Sequence, residues 1–142
     1  MAEPLLALKE DELGRQRAQQ PTSHPHASAG DQSFFCCRTC RSTIACVDAL
    51  LPADAPLVFA NPHGLVFELV LVTRADSLVY IGALTTEHTW FSGYAWQVAL
   101  CAGCTTHLGW RYEAAEDERS PKLFYGLLRR ELVELRAPSD RA

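Results

Sequence analysis

The sequence lacks several features that would each have pointed to a class of function. No run of about eighteen apolar residues occurs, which is the length a membrane-spanning helix needs. The longest apolar stretch, around Leu65 to Val72, is broken by Glu68, so no membrane partner is expected. Lysine and arginine are scattered and the net charge is −4, so the basic stripe of a duplex-binding protein is missing and nucleic acid is not an expected partner. The N-terminus reads Met-Ala-Glu-Pro and turns acidic at Lys9-Glu10-Asp11-Glu12. It lacks the basic start and apolar core of a secretory signal, and the expected location is cytoplasmic. No aromatic residue precedes Phe34, and residues 1–33 are rich in Gln, Pro and Ser. Such a segment buries too little apolar surface to offset the entropy of ordering it, so it is expected to be a flexible arm whose His24 and His26 are solvated.

The chain that remains is long enough for one domain, and 48% hydrophobic content is enough for one core. Six cysteines without a secretory signal read as metal ligands and free thiols rather than a disulfide framework. Four of them form two Cys-x-x-Cys pairs, Cys37-Arg38-Thr39-Cys40 and Cys101-Ala102-Gly103-Cys104. Each such turn points both sulfurs to one side at the separation a tetrahedral zinc ion needs, and thiolates select zinc over magnesium or calcium. The interval between the pairs is much longer than in a compact zinc ribbon, so one structural zinc would join two distant parts of a domain. Cys36 competes with Cys37, because a Cys-x-x-x-Cys spacing is also allowed, and the matching spacing of the two pairs favours Cys37. Cys46 is expected to be a small buried residue. A four-cysteine site leaves no open coordination position for catalysis.

From Phe34 onward the pattern is of short β-like runs. Leu57–Ala60 and Leu65–Val72 flank Asn61-Pro62-His63-Gly64 and predict a hairpin. Val79–Leu84, Trp96–Leu100 and Leu108–Glu113 predict further strands, with Gly82, Gly93, Gly103 and Gly109 as breaks. In the segment Leu123–Leu135, Phe124, Leu128, Leu132 and Leu135 recur at helical spacing, yet Phe124-Tyr125-Gly126 also opens a strand. The expectation is a strand over Leu123–Leu128 followed by a short helix or coil. The domain is placed at residues 34–136, with 137–142 as a polar tail.

All three tryptophans, Trp90, Trp96 and Trp110, fall around the second cysteine pair. Residues two apart in a strand share a face, so Trp110 and Tyr112 project together while Arg111 points away. Tryptophans beside a zinc site also read as plain core, because each buries roughly 150–250 Å². Polar residues around them, Glu87-His88-Thr89 and the Asn61 turn, supply the placed hydrogen-bond groups of a pocket.

The same residues carry a resemblance. Thr86-Glu87-His88-Thr89-Trp90-Phe91-Ser92-Gly93-Tyr94-Ala95-Trp96, followed by Cys101-x-x-Cys104-x-x-His107-Leu108-Gly109-Trp110, resembles the thalidomide-binding domain of cereblon, the CULT domain. Asn61-Pro62-His63-Gly64, Cys37-Arg38-Thr39-Cys40 and Ser120-Pro121-Lys122-Leu123-Phe124-Tyr125-Gly126-Leu127 fit the same family in the same order, and the likeness covers about Phe34 to Leu132. It implies a mainly β, β-tent fold of two antiparallel sheets at a steep angle, joined at a structural zinc site of four cysteines. It implies a non-catalytic cage that accepts a cyclic imide such as glutarimide, or an imide-bearing peptide terminus. Trp90, Trp96 and Trp110 become the cage walls and Tyr112 the floor. The His88 main chain and the Trp90 backbone become the imide's hydrogen-bond partners, and Asn61 lies at the rim.

The likeness is to stand-alone members of the family. Residues 1–33 are too few for the Lon-like domain and helical segment that attach cereblon to a ubiquitin ligase, so a ligase adaptor is not implied. Two other readings compete. An aromatic cage also suits cationic or methylated groups, with Glu87 as the local carboxylate. Methionine sulfoxide reductases of the B type share the zinc-knotted β-tent, but their catalytic cysteine has no counterpart here, because no cysteine follows Cys104.

Overall fold

A computed structural model describes residues 32–137. The expected arm up to residue 31, with its two histidines, and the tail from residue 138 lie outside the described residues. Nine strands follow in order: β1 (Ser33–Cys37), β2 (Thr43–Cys46), β3 (Leu57–Ala60), β4 (Val66–Val72), β5 (Leu78–Thr85), β6 (Tyr94–Cys101), β7 (His107–Ala114), β8 (Leu123–Leu128) and β9 (Leu132–Arg136). They form two antiparallel sheets, one of order β2-β1-β9 and one of order β3-β4-β8-β7-β6-β5. The fold is mainly β, as expected, and among the described residues the only helical elements are two single 3-10 turns, Val47–Ala49 and Arg129–Glu131.

Strand alternation explains why the six-stranded sheet has two cores. Successive side chains point to opposite faces. Leu69 and Leu71 of β4, Tyr112 of β7, and Phe124 and Leu128 of β8 join an aromatic-rich cluster with Phe59, Trp90 and Phe91. Their sequence neighbours Val70, Val72, Tyr125 and Leu127 join a second cluster with Phe35, Ile44, Leu132 and the cysteines Cys37 and Cys101. The small sheet covers this second face. Its outer end is fastened by Gln32, whose carbonyl accepts from the Ala137 N–H at 2.8 Å.

Three expectations are corrected. Gly82 and Gly109 do not break strands but lie inside β5 and β7, where the ladders with β6 are irregular. Glycine is required at 109 because an added Cβ would lie 2.1 Å from the Gly126 carbonyl oxygen, at a φ of +151. The strand expected at Leu123–Leu128 is present, but the residues after it form a 3-10 turn and then β9 rather than a helix or coil. Pairing with β1 from Leu132 to Arg136 overrides the helical spacing of the leucines. The small sheet as a whole was not visible as strands in the sequence.

Candidate functional site

Two short knuckles of the same local shape build the metal centre. In the first, the Cys37 N–H donates to the Ser42 carbonyl at 2.9 Å and the Arg41 N–H to the Cys37 carbonyl at 2.8 Å. In the second, Cys101 N–H reaches Thr106 and Thr105 N–H reaches Cys101, each at 2.8 Å. Both turns need a left-handed residue after the second cysteine, and Arg41 (φ 70) and Thr105 (φ 63) occupy those positions. The four sulfurs lie within 4.8 Å of one another, with Cys37 to Cys104 at 3.6 Å and Cys40 to Cys101 at 3.5 Å. Tetrahedral Zn–S bonds of about 2.3 Å require sulfurs about 3.8 Å apart, so the set fits one zinc ion.

Hydrogen-bond donors near the sulfurs favour the thiolate form that zinc binds. A Ser42 hydroxyl lies 3.1 Å from Cys40 Sγ and holds that thiol down at about 6. The Thr106 hydroxyl lies 3.1 Å from Cys104 Sγ and lowers it likewise. Burial pushes Cys37 up to about 11 in the absence of metal. The geometry decides between Cys36 and Cys37. Cys36 is buried with its sulfur directed at the Phe34 carbonyl and Thr43, at 3.9 and 4.0 Å, and Cys37 joins the cluster. Cys46 is half-buried, not fully buried as expected, because it ends its strand at the sheet's edge.

On the opposite face of the large sheet lies a cavity of about 550 Å³. Asn61, His88, Trp90, Trp96, Trp110 and Tyr112 all line it, joined by Pro62, His63, Phe67 and His107. Cross-strand register places Trp96 opposite Tyr112 and Val98 opposite Trp110, so β6 and β7 carry one wall. Trp90 comes from the loop between β5 and β6. Its indole stacks on Phe59 with centroids 5.1 Å apart, donates from Nε1 to the Ala60 carbonyl at 3.1 Å, and meets Trp110 edge-on at 5.0 Å. The Trp96 indole donates to the Glu87 carbonyl at 2.6 Å, which fixes its plane. Tyr112 is fully buried and stacks on Phe124 at 4.9 Å, and burial pushes its phenol well above the usual range.

Two turns form the rim. The Asn61 side-chain oxygen accepts from the His63 and Leu65 N–H groups, each at 2.9 Å, so this side chain shapes the turn as well as lining the cavity. The second turn is closed by the Thr89 N–H donating to Thr86 at 3.2 Å and holds His88 in the left-handed region at φ 58. Phe67 and His107 had not been singled out in the sequence as lining residues. Phe67 lies edge-on to Trp110 at 5.6 Å, and His107 does so at 4.9 Å. The His107 Nε2 lies 3.0 Å from the Gly109 carbonyl, which can only accept, so Nε2 carries the proton. Burial depresses the His107 pKa, which keeps the ring neutral. The sequence signal for both was their placement beside residues expected at the site, His107 ahead of Trp110 and Phe67 behind the Asn61 turn.

Comparison with known proteins agrees with the metal centre. The family model described as Yippee zinc-binding/DNA-binding and Mis18, centromere assembly, matches residues 33–139. The chain belongs to the Yippee/Mis18 zinc-binding family. It is also similar to cereblon. Protein cereblon of Danio rerio is 39% identical over 103 residues, covering 70% of this chain and 24% of the relative. The Gallus gallus protein is 36% identical over 103 residues, with 70% and 23% coverage. That of Drosophila willistoni is 38% identical over 102 residues, with 68% and 17%. The chain thus spans less than a quarter of the length of these relatives. Among the described residues no helix is long and apolar enough to cross a membrane.

Proposed function

We propose that this Yippee/Mis18 domain binds cyclic imides, glutarimide-like rings or the imide at the C-terminus of a peptide, in the three-tryptophan cavity without catalysing a reaction. The observation that carries the reading is that the three indoles, each fixed by its own contacts, surround one cavity beside a rim of main chain. Among the described residues, the His88 carbonyl and the Trp90 N–H make no hydrogen bond. They are the acceptor and donor that a flat imide, one N–H between two carbonyls, needs for recognition at roughly 0.5–1.5 kcal/mol per bond. The ring carbons, made electron-poor by the carbonyls, suit the negative faces of the indoles. A ligand of about eight heavy atoms is expected to bind near the micromolar range.

Among the described residues no carboxylate side chain lines the cavity, which weighs against a reader of methylated or cationic groups. No cysteine lines it either, which weighs against reductase chemistry. The test is a titration with glutarimide followed by indole fluorescence, with trimethyl-lysine peptide in parallel. Saturable quenching by the imide is expected, and loss of it by at least about thirtyfold in Trp96→Ala, which removes an anchor worth about 2 kcal/mol. Quenching by the peptide alone would replace the ligand class, and silence from both would leave a structural module.

A further inference from the structure

β5 is an edge strand of the large sheet, and among the described residues nothing pairs with its outer side. Natural edges are usually blunted by charge, proline or cover. Leu78–Thr85 contains neither charge nor proline, and it exposes Val79 and Ile81 at 42% and 51%. The strand is also continuous with the cavity. Its last residue, Thr85, pairs with the wall residue Trp96, and the next turn carries His88 at the rim. Ile81, Val98 and Trp110 are level with one another across β5, β6 and β7.

We infer that β5 is a docking edge for the extended polypeptide that bears the imide, whose residues ahead of the ring pair with Leu78–Ile81. This rests on the imide reading and specifies its ligand as a peptide. The direction follows from placement. A chain whose C-terminal ring lies in the cavity enters at the Leu78 end and runs parallel to β5. The reach follows from spacing. Trp110 is two strands in from β5, so a seventh strand lies about 14 Å from it at about 4.8 Å per strand, a span of about four extended residues. Beyond those four, three or four residues complete the pairing with the regular part of β5. The irregular ladder after Ile81, with Gly82 at φ 84, bends the strand there and releases the peptide from the edge toward the cavity. It also limits a symmetric pairing with a second copy to the four residues before it.

The experiment uses the full chain loaded with zinc and synthetic uncharged peptides of two to ten residues ending in a cyclic imide, with glutarimide as reference. Affinity is expected to stay at the glutarimide level up to about five residues and to rise about tenfold by eight, as a few main-chain bonds form. N-methylation at alternate peptide residues in the pairing segment should remove the gain. Val79→Lys and Ile81→Lys should remove it too while leaving glutarimide binding unchanged. Glutarimide binding with no dependence on peptide length overturns the docking edge and leaves the imide reading intact. No binding of glutarimide overturns both. Concentration-dependent dimerisation that Ile81→Lys abolishes would assign the edge to a second copy and also overturn the proposal.

Discussion

The zinc centre and the aromatic cavity occupy opposite faces of one sheet and are built in opposite ways. Each half of the zinc centre is a local turn of six residues, and its conformation is encoded where its ligands stand. The cavity draws its walls from the Asn61 turn, β4, the loop before β6, and β6 and β7, so no single segment encodes it. A locally encoded site fails when one ligand is removed. A distributed site fails by degrees, and its individual walls can be altered without loss of the fold.

The largest effect that tests this contrast is removal of a ligand. Cys101→Ser should release zinc and unfold the domain, because structural zinc contributes on the order of 10 kcal/mol of apparent folding energy. Metal content and circular dichroism measure it, and a folded, metal-free variant would break the contrast. Gly109→Ala is next. It lies between Leu108 of the zinc-side core and the cavity wall Trp110, and the clash with the Gly126 carbonyl at positive φ should cost about 2–3 kcal/mol in urea unfolding.

Smaller effects sharpen the comparison within the zinc centre. Ser42→Ala and Thr106→Ala remove equivalent hydroxyls from the two knuckles and should each weaken zinc about tenfold, as read by competition with a chelator. Unequal losses would mean that the matching geometry hides unequal roles. The smallest effect is on the cavity side. Folded His107 has its pKa depressed by burial, whereas an unfolded histidine takes a proton near about 6.5. The unfolded state therefore binds more protons as pH falls through about 6.5, and stability declines until the folded pKa is passed. With zinc saturating, urea midpoints of the His107→Gln variant should lack this part of the decline.

Much of the large sheet was legible because its strands are runs rich in branched and aromatic residues set off by turn formers such as Asn61-Pro62-His63-Gly64. β1, β2 and β9 were not. β1 reads Ser-Phe-Phe-Cys-Cys, which shows no alternation, and β9 buries only Leu132, so its other residues follow no core pattern. Pairing between distant segments makes these strands, and a local pattern does not record such pairing. The cysteine ligands were legible from spacing. The tryptophans were legible as a cluster, but whether they formed core or cavity depended on what packed behind them. Phe59 behind Trp90 and Phe124 behind Tyr112 supply that backing, and both lie far from the tryptophans in the chain.

The matched knuckles also carry an electrostatic consequence. A zinc ion held by four thiolates leaves two negative charges at that end of the molecule, which the formal charge of −4 omits because it counts the thiols as neutral. The loaded protein is therefore more acidic than its sequence suggests. Metal occupancy should be readable as faster migration toward the anode in a native gel, and a phosphate backbone approaching the knuckles would meet a repulsive field.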